Sequence, residues 1–258
     1  MLLTPARPQI VSLSGGKDST AMLLMMLERG ESVHSAVYFD AGEWEFPQMA
    51  AHIAQVEAMI APVPLVRLEP KMSFLELMIS RPVIPRTGPN KGKVRFLGCG
   101  WPSAMRRWCT REKADAIDKF SKGLRAVSCI GYAADESDRT LTKKIQGKAT
   151  RYPLIEWGIS EADALAYCRA LGLTWSGLYD IFPRVSCFCC PLQSLPSLRK
   201  VRRHFPELWA KMLRWEEQMK HREFLRFKDE ASVHDLEARF AEEDRWGFLP
   251  TAAAEALP

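Results

Sequence analysis

Gln9-Ile10-Val11-Ser12-Leu13-Ser14-Gly15-Gly16-Lys17-Asp18-Ser19, continued by Thr20-Ala21-Met22-Leu23-Leu24-Met25-Met26-Leu27, is the stretch whose reading decides the fold. Gln9 to Leu13 is a short apolar run that predicts a buried strand. Ser19 to Leu27 lacks breakers and is rich in Leu and Met, which predicts a helix. The glycines between them suit a phosphate, which needs several backbone donors converging without side chains in the way. Lys17 adds a mobile cation and Ser14 and Ser19 add hydroxyls. Asp18 is the natural group to hold magnesium or to orient the loop. The string is not a Walker A loop, which requires four residues between its first glycine and a Gly-Lys-Ser/Thr end.

Working outward, Val33 to Phe39 reads as a second strand, Phe46 to Met59 as a helix and Pro64 to Leu68 as a third strand. Arg125 to Tyr132 supplies another strand. A helix from Ser160 to Leu171 opens on Ser160 as N-cap and ends at Gly172. This alternation predicts an α/β fold: a doubly wound, mostly parallel sheet of Rossmann-like type. Between Arg81 and Gly100 three prolines and four glycines interrupt any period, so the stretch reads as an active-site lid or an unstructured insertion. After Pro196 the pattern is helical to about Trp246, and Thr251 to Pro258 reads as a frayed tail. The expected organisation is a nucleotide-binding domain over 1–195 with a helical, basic C-terminal appendage over 196–258.

A chain of 258 residues with 47% hydrophobic and 26% charged residues has the material for one principal core, which excludes wholesale disorder. No apolar run approaches the ~20 residues needed to span a bilayer, and Met1 to Pro5 lacks the features of a signal peptide. A cytoplasmic location with no membrane partner is therefore expected. Seven cysteines in such a chain point to metal or redox chemistry rather than to a disulfide framework. The net charge is +5, and between Arg199 and Lys228 ten Lys or Arg stand against four Glu. That segment reads either as a nucleic-acid surface or as a solvated helix face. Trp209, Trp215 and Phe224 fall within it at helical spacing and read as a packing stripe, with base-stacking platforms as the alternative.

Further motifs follow in order: Phe39-Asp40; Arg107-Trp108-Cys109-Thr110; Gly131 with Glu136-Ser137 and Arg139; Tyr152-Pro153-Leu154-Ile155-Glu156-Trp157; and Leu178-Tyr179-Asp180. With the Ser-Gly-Gly-Lys-Asp-Ser loop they resemble the pyrophosphatase-loop (PP-loop) superfamily, which includes ATP pyrophosphatases, RNA thiolation enzymes and phosphoadenosine phosphosulfate (PAPS) reductases. The likeness runs from Gln9 to about Pro191. It implies an adenine nucleotide, ATP with Mg2+, bound by Ser14, Gly15, Gly16, Lys17, Asp18 and Ser19. It also implies contributions from Asp40, Gly131, Glu136 and Ser137, and a catalytic set of Lys17, Asp18 and Arg139. Asp40 reads equally well as a helix cap.

Cys187 and Cys190 form a Cys-x-x-Cys pair before Pro191, and two thiolates at that spacing can share one metal centre. The resemblance adds Cys109, which falls where related enzymes place a distant cysteine ligand. Cys109, Cys187 and Cys190 form the core set, and Cys189, Cys99, a small molecule or a substrate sulfur could take the fourth position. A 4Fe-4S cluster, a structural Zn2+ and no metal all stay open, as does a redox role for Cys189 and Cys190. Cys129 and Cys168, within a strand and a helix, read as buried packing.

The pattern departs from the sulfonucleotide reductases in one decisive way. Those enzymes carry a catalytic cysteine in a Glu-Cys-Gly tail, whereas the 68 residues after Cys190 contain no cysteine. Related iron-sulfur reductases also use adjacent cysteines where this chain has Trp108-Cys109. The expected activity is cleavage of ATP to AMP and pyrophosphate to adenylate a substrate, coupled to sulfur transfer from a sulfur donor at an iron-sulfur centre. Two alternatives are an oxidoreductase acting on PAPS with a partner thiol such as thioredoxin, and a zinc-containing nucleic-acid-binding module without turnover. Oligomeric state is left open.

Overall fold

The computed structural model describes residues 7–141, 149–220 and 225–247. In chain order its elements are β1 (Gln9–Leu13), α1 (Lys17–Glu28), β2 (Ser35–Phe39), α2 (Gln48–Met59), β3 (Leu65–Leu68), α3 (Phe74–Ile79), β4 (Pro82–Val83), β5 (Phe96–Leu97) and α4 (Trp108–Leu124). They continue with β6 (Val127–Ile130), β7 (Thr150–Arg151), α5 (Pro153–Glu156), α6 (Glu161–Ala170), α7 (Leu178–Ile181), α8 (Leu195–His204), α9 (Pro206–Glu217) and α10 (Val233–Arg245). Contacts divide the chain into two compact units, 1–70 with 111–186, and 71–110 with 187–258.

The first unit is the doubly wound architecture expected: a five-stranded sheet in the order β3-β2-β1-β6-β7, every pairing parallel. Parallel strands are covered on both faces and so read as apolar runs rather than as alternation. All five residues of β2 are buried, as are Ile10, Val11 and Leu13 of β1. On α4, Ile117, Phe120 and Leu124 recur at helical spacing and pack on a cluster of Ile10, Val37 and Ala126. The chain runs from β1 outward to β2 and β3, then returns to place β6 on the other side of β1. The strand order therefore reverses between β1 and β6, and ligands of open α/β sheets bind at the carboxyl ends of strands at such a switch point.

Strand β6 is shorter than the Arg125 to Tyr132 run predicts. Arg125 has φ +51°, a left-handed conformation that ends the preceding helix, and Tyr132 N donates to Ile130 O at 3.0 Å to turn the chain out of the sheet. Helix α6 matches its expectation closely. Ser160 accepts from Asp163 N while the Asp163 carboxylate accepts from Ser160 N, a capping box, and Gly172 (φ +79°) follows the helix.

The second unit joins two distant stretches of sequence. Trp101 is buried in it, with its ring centre 4.9 Å from that of Phe227 and 6.4 Å from that of Trp215. Trp101 Nε1 donates to the buried Glu216 carboxylate at 3.1 Å, which also accepts from Val233 N at 2.8 Å and His234 N at 3.0 Å. One buried carboxylate thus satisfies the open N–H groups at the start of α10, where the helix dipole favours negative charge. The Arg81 to Gly100 stretch, expected to be irregular, contains the antiparallel pair β4 and β5. Two-residue strands are too short to write a period into sequence. At its end Gly98 is obligatory, since a Cβ there would lie 2.2 Å from Met78 O.

Candidate nucleotide site and cysteine cluster

Gly15 and Gly16 follow β1 at the switch point, and α1 begins at Lys17. Gly15 has φ +76°, and a Cβ on it would come within 2.6 Å of Met49 Cε. Gly16 is the N-cap and brings no side chain to compete for the first-turn N–H groups of α1, leaving an anion-receptive helix start. Ser14 N donates to Ser19 Oγ at 3.1 Å, Ser19 Oγ lies 3.1 Å from Gly16 O, and the two serine hydroxyls are 2.9 Å apart. The loop is also held from outside. Trp175 Nε1 donates to Gly15 O at 2.7 Å and Lys17 N donates to Tyr179 OH at 2.8 Å. Behind it, a Cβ on Gly131 would sit 2.8 Å from Ser19 Cα and 2.9 Å from Ser19 N, so only glycine lets the end of β6 pass the start of α1.

Lys17 is not the mobile cation its position in the loop suggests. It is 5% exposed, with Nζ paired to Asp18 at 3.1 Å and also to Glu161. Burial pushes the Asp18 carboxyl above its ordinary value against the pull of Lys17, and its Oδ1 is buried with no hydrogen-bond partner. Burial also opposes ionisation of Glu161, but the Lys17 hydrogen bond and the charges of Lys17 and Arg184 outweigh it and hold that carboxyl below its ordinary value.

Opposite the loop, Glu136 accepts from Arg139 Nη1 at 2.8 Å and Arg184 Nη2 at 2.7 Å, so one carboxylate carries two guanidinium groups. The Arg139 guanidinium lies 4.2 Å from the centre of the Tyr132 ring, which stacks on Tyr152 at 5.6 Å. These groups enclose a cavity of about 350 Å³, within the range of small-ligand sites. Of the residues expected at the site, Ser14, Gly16, Lys17, Asp18, Ser19, Gly131, Glu136 and Arg139 line it. Gly15 supports the loop from behind. Asp40 is not in the lining, and its Oδ1 accepts from Gly42 N at 2.7 Å, the turn-capping arrangement. Ser137 is not in it either, and its carbonyl accepts from Thr140 Oγ1 at 2.8 Å.

Sequence reasoning missed Glu161, Arg184, Tyr132 and Lys113, the last three also in the lining, and gave Tyr179 no role. Glu161 directly follows an N-cap, where an acidic residue is explained by the helix dipole alone. His52 was missed as well. It is 3% exposed and stacks on Trp175 at 4.4 Å, with Nε2 3.3 Å from Thr20 Oγ1, and burial lowers its pKa to about 4. An imidazole and an indole on other elements thereby brace the glycine loop.

All seven cysteines are unbridged. Cys129 and Cys168 are fully buried, as expected, and burial pushes each thiol up to about 12. Cys99, Cys109, Cys187, Cys189 and Cys190 belong to the second unit. Cys190 N donates to Cys187 O at 3.1 Å, and Gln193 Nε2 fastens this turn through Cys187 O at 3.0 Å and Phe188 O at 2.9 Å. Cys189 is fully buried; burial, then the neighbouring charges of Cys187, Cys190 and Cys109, raises its pKa well above the ordinary thiol value. Burial raises Cys109 and Cys190 too. Four sulfurs thus share one neighbourhood. Among the described residues, however, no three His, Cys, Asp or Glu side chains are arranged to hold a metal ion.

No described helix is long and apolar enough to cross a membrane. Among known proteins, an uncharacterized protein of Methanocaldococcus jannaschii is 27% identical over 222 residues, covering 81% of this chain and 41% of the relative, so the chain spans well under half of that protein. Among solved structures, the U34-tRNA thiolase NcsA from Methanococcus maripaludis with its [4Fe-4S] cluster superposes with a TM-score of 0.45 at 14% identity, covering 93% of this chain and 74% of that one. The family model for the phosphoadenosine phosphosulfate reductase domain matches residues 8–193, which take in β1 through the Cys187–Cys190 turn. A parallel sheet with its glycine loop at the switch point and a family match over most of the chain have one reading: this protein belongs to the phosphoadenosine phosphosulfate reductase domain family.

Proposed function

We propose that the first unit binds ATP at the Ser14 to Ser19 loop and transfers its adenylyl group to an acceptor, releasing pyrophosphate. The observation that carries this reading is the cavity in which the open start of α1, Lys17 and the Arg139–Glu136–Arg184 set face one another. An oxygen of the acceptor attacks the α-phosphorus and the bond from that phosphorus to the bridging oxygen breaks. The electron pair leaves with pyrophosphate. Lys17, the first-turn N–H groups and the α1 dipole stabilise the charge that develops on the departing oxygens, where preorganised donors contribute most. Lys17 is paired with Glu161, so a phosphate must take the place of that carboxylate. Arg139 and Arg184 are half-exposed or more and can turn toward the nucleotide.

Magnesium fits this site on one observation: the buried, unpartnered Oδ1 of Asp18 is an acceptor in want of a cation. When bound, the ion would offset phosphate charge; Asp18 would hold it. The cysteine neighbourhood does not fit a cluster in the arrangement present, so no step above passes through it. Coupling to sulfur transfer would need Cys109, Cys187 and Cys190 to converge, with Cys189 or Cys99 as a further ligand. Iron and sulfide assays on anaerobically purified wild type and Cys187→Ala test it. Iron and sulfide in the wild type, lost in the variant, support a cluster; zinc alone, or no metal, rejects it.

A second reading, reduction of a sulfonucleotide, draws on the family match over residues 8–193. In this reading a partner thiol such as that of thioredoxin supplies the reducing equivalents. Pyrophosphate release from ATP and sulfite release from PAPS with added thioredoxin, measured side by side, distinguish the two.

A further inference from the structure

Charge is arranged very differently in two stretches of the second unit. On the C-terminal helices, where sequence places the basic segment, Arg199 pairs with Glu243 at 2.6 Å, Arg202 with Glu237 at 2.8 Å and Asp244 at 2.5 Å, and Arg226 with Glu230 at 2.9 Å. Three of that segment's ten cations are thus paired among the described residues, two of them with carboxylates of α10. Between Glu76 and Glu112, by contrast, the sequence contains no Asp or Glu at all. Arg81, Arg86, Lys91, Lys93, Arg95 and Arg107 lie in that interval, are exposed, and enter no ion pair among the described residues. Cations without local carboxylates project a field of one sign into solvent.

Arg81 to Arg95 lie on an excursion closed at its base by the β4–β5 pair and bridged nearer its tip, where Gly92 N donates to Pro85 O at 3.2 Å. Arg95 N donates to Val83 O at 2.9 Å and Gly98 N to Arg81 O at 2.8 Å. Around the tip, Gly88 (φ +82°) and Gly92 (φ +78°) have no atom within 4 Å of where a Cβ would stand, so another chain can approach the backbone closely. Ile84 (49% exposed) and Val94 (56% exposed) stand singly among the cations. A membrane-surface element would gather such residues on one broad apolar face. A protein partner presents both signs of charge and would find no carboxylate here to meet its own cations. A polymer with one negative charge per repeat and apolar ring faces between charges matches both the cations and the isolated aliphatic side chains.

We infer that the segment from Arg81 to Arg107 is the surface by which this chain holds the phosphodiester backbone of a nucleic-acid strand. The proposal is independent of the nucleotide site in the first unit. The test is fluorescence anisotropy of labelled single-stranded RNA and DNA oligonucleotides over a salt series. It compares the full-length wild type, the variant R86Q/K91Q/K93Q/R95Q, and the C-terminal control R203Q/R214Q/K220Q. Wild type should bind at least one of the two, and which binds more tightly identifies the source. Removing four phosphate contacts from a single strand should lower the slope of log affinity against log salt by about 3 and weaken binding roughly tenfold or more at moderate salt. The control should change far less. Matching circular dichroism and melting curves verify that both variants fold. As a readout on the wild type alone, bound oligonucleotide should protect Lys91 and Lys93 from acetylation. The proposal is overturned if neither oligonucleotide binds, if the control variant takes the larger loss, if the two lysines are not protected, or if polyglutamate displaces the oligonucleotide equally well per charge.

Discussion

The glycine loop of the first unit and the cysteine turn of the second are both short, both named by motifs, and built on opposite principles. The loop is finished. Its serines bond to each other, Trp175 and Tyr179 hold its backbone, and Lys17 is buried with its counter-charges. The cysteine turn is fastened through Gln193, but its sulfurs, though near one another, do not form a metal-holding set among the described residues. A site made from backbone conformation and hydrogen bonds is assembled by folding itself. A site made from thiolates draws its geometry from the ion that fills it, because the metal's binding energy is what brings the ligands together. The two should therefore respond differently to mutation in the metal-free, nucleotide-free protein.

The sharpest contrast should come from Lys17→Met, which leaves Asp18 and Glu161 without their cation. A loss of about 3 kcal/mol in denaturant unfolding is expected, since removing one partner of a buried pair strands the other charge, together with loss of ATP binding by calorimetry. A comparable effect should appear with pH at His52. Its folded pKa of about 4 lies below the ordinary value of 6.5, so the unfolded chain takes up a proton that the folded chain refuses. Stability is full above pH 6.5 and falls as pH drops toward 4, by up to about 3 kcal/mol. The His52→Gln variant should lose that slope in unfolding curves measured across the range.

Gly131→Ala should come next. A methyl group 2.8 Å from Ser19 Cα forces the end of β6 away from the start of α1, at a cost of about 1–3 kcal/mol by thermal unfolding and with weaker nucleotide binding. The smallest effect belongs to the other region. Cys187 is only partly buried, and its replacement by Ala in the metal-free protein should shift stability by less than about 1 kcal/mol. A large loss there would erase the contrast, since it would mean the cysteine turn is as fully built as the loop.

What the sequence revealed follows the range of the forces involved. Strand β1, the loop and α1 were legible because an apolar run, two glycines and a breaker-free helix lie within twenty residues of one another. Helix α6 was legible for the same reason, its capping box and Gly172 being local signals. Glu161 was not, because its partner Lys17 stands 144 residues away and nothing near Glu161 requires it to be more than a helix-start carboxylate. The discontinuous second unit was invisible, since Lys71–Thr110 joins Cys187–Pro258 only through tertiary packing. Counting charge along the C-terminal helices gave their sum correctly, yet Glu237, Glu243 and Asp244, which balance Arg199 and Arg202, come from a helix beyond the counted segment.

Pyrophosphate release tests the proposed ATP-cleaving role of the first unit most directly. Purified protein is given ATP and magnesium with candidate acceptors, and pyrophosphate and AMP are quantified for wild type and Lys17→Met beside a parallel reaction with PAPS and thioredoxin. Wild type should release pyrophosphate matched by AMP, free or joined to the acceptor, and the variant should release none. Sulfite from PAPS, with ATP neither bound nor cleaved, would contradict that role.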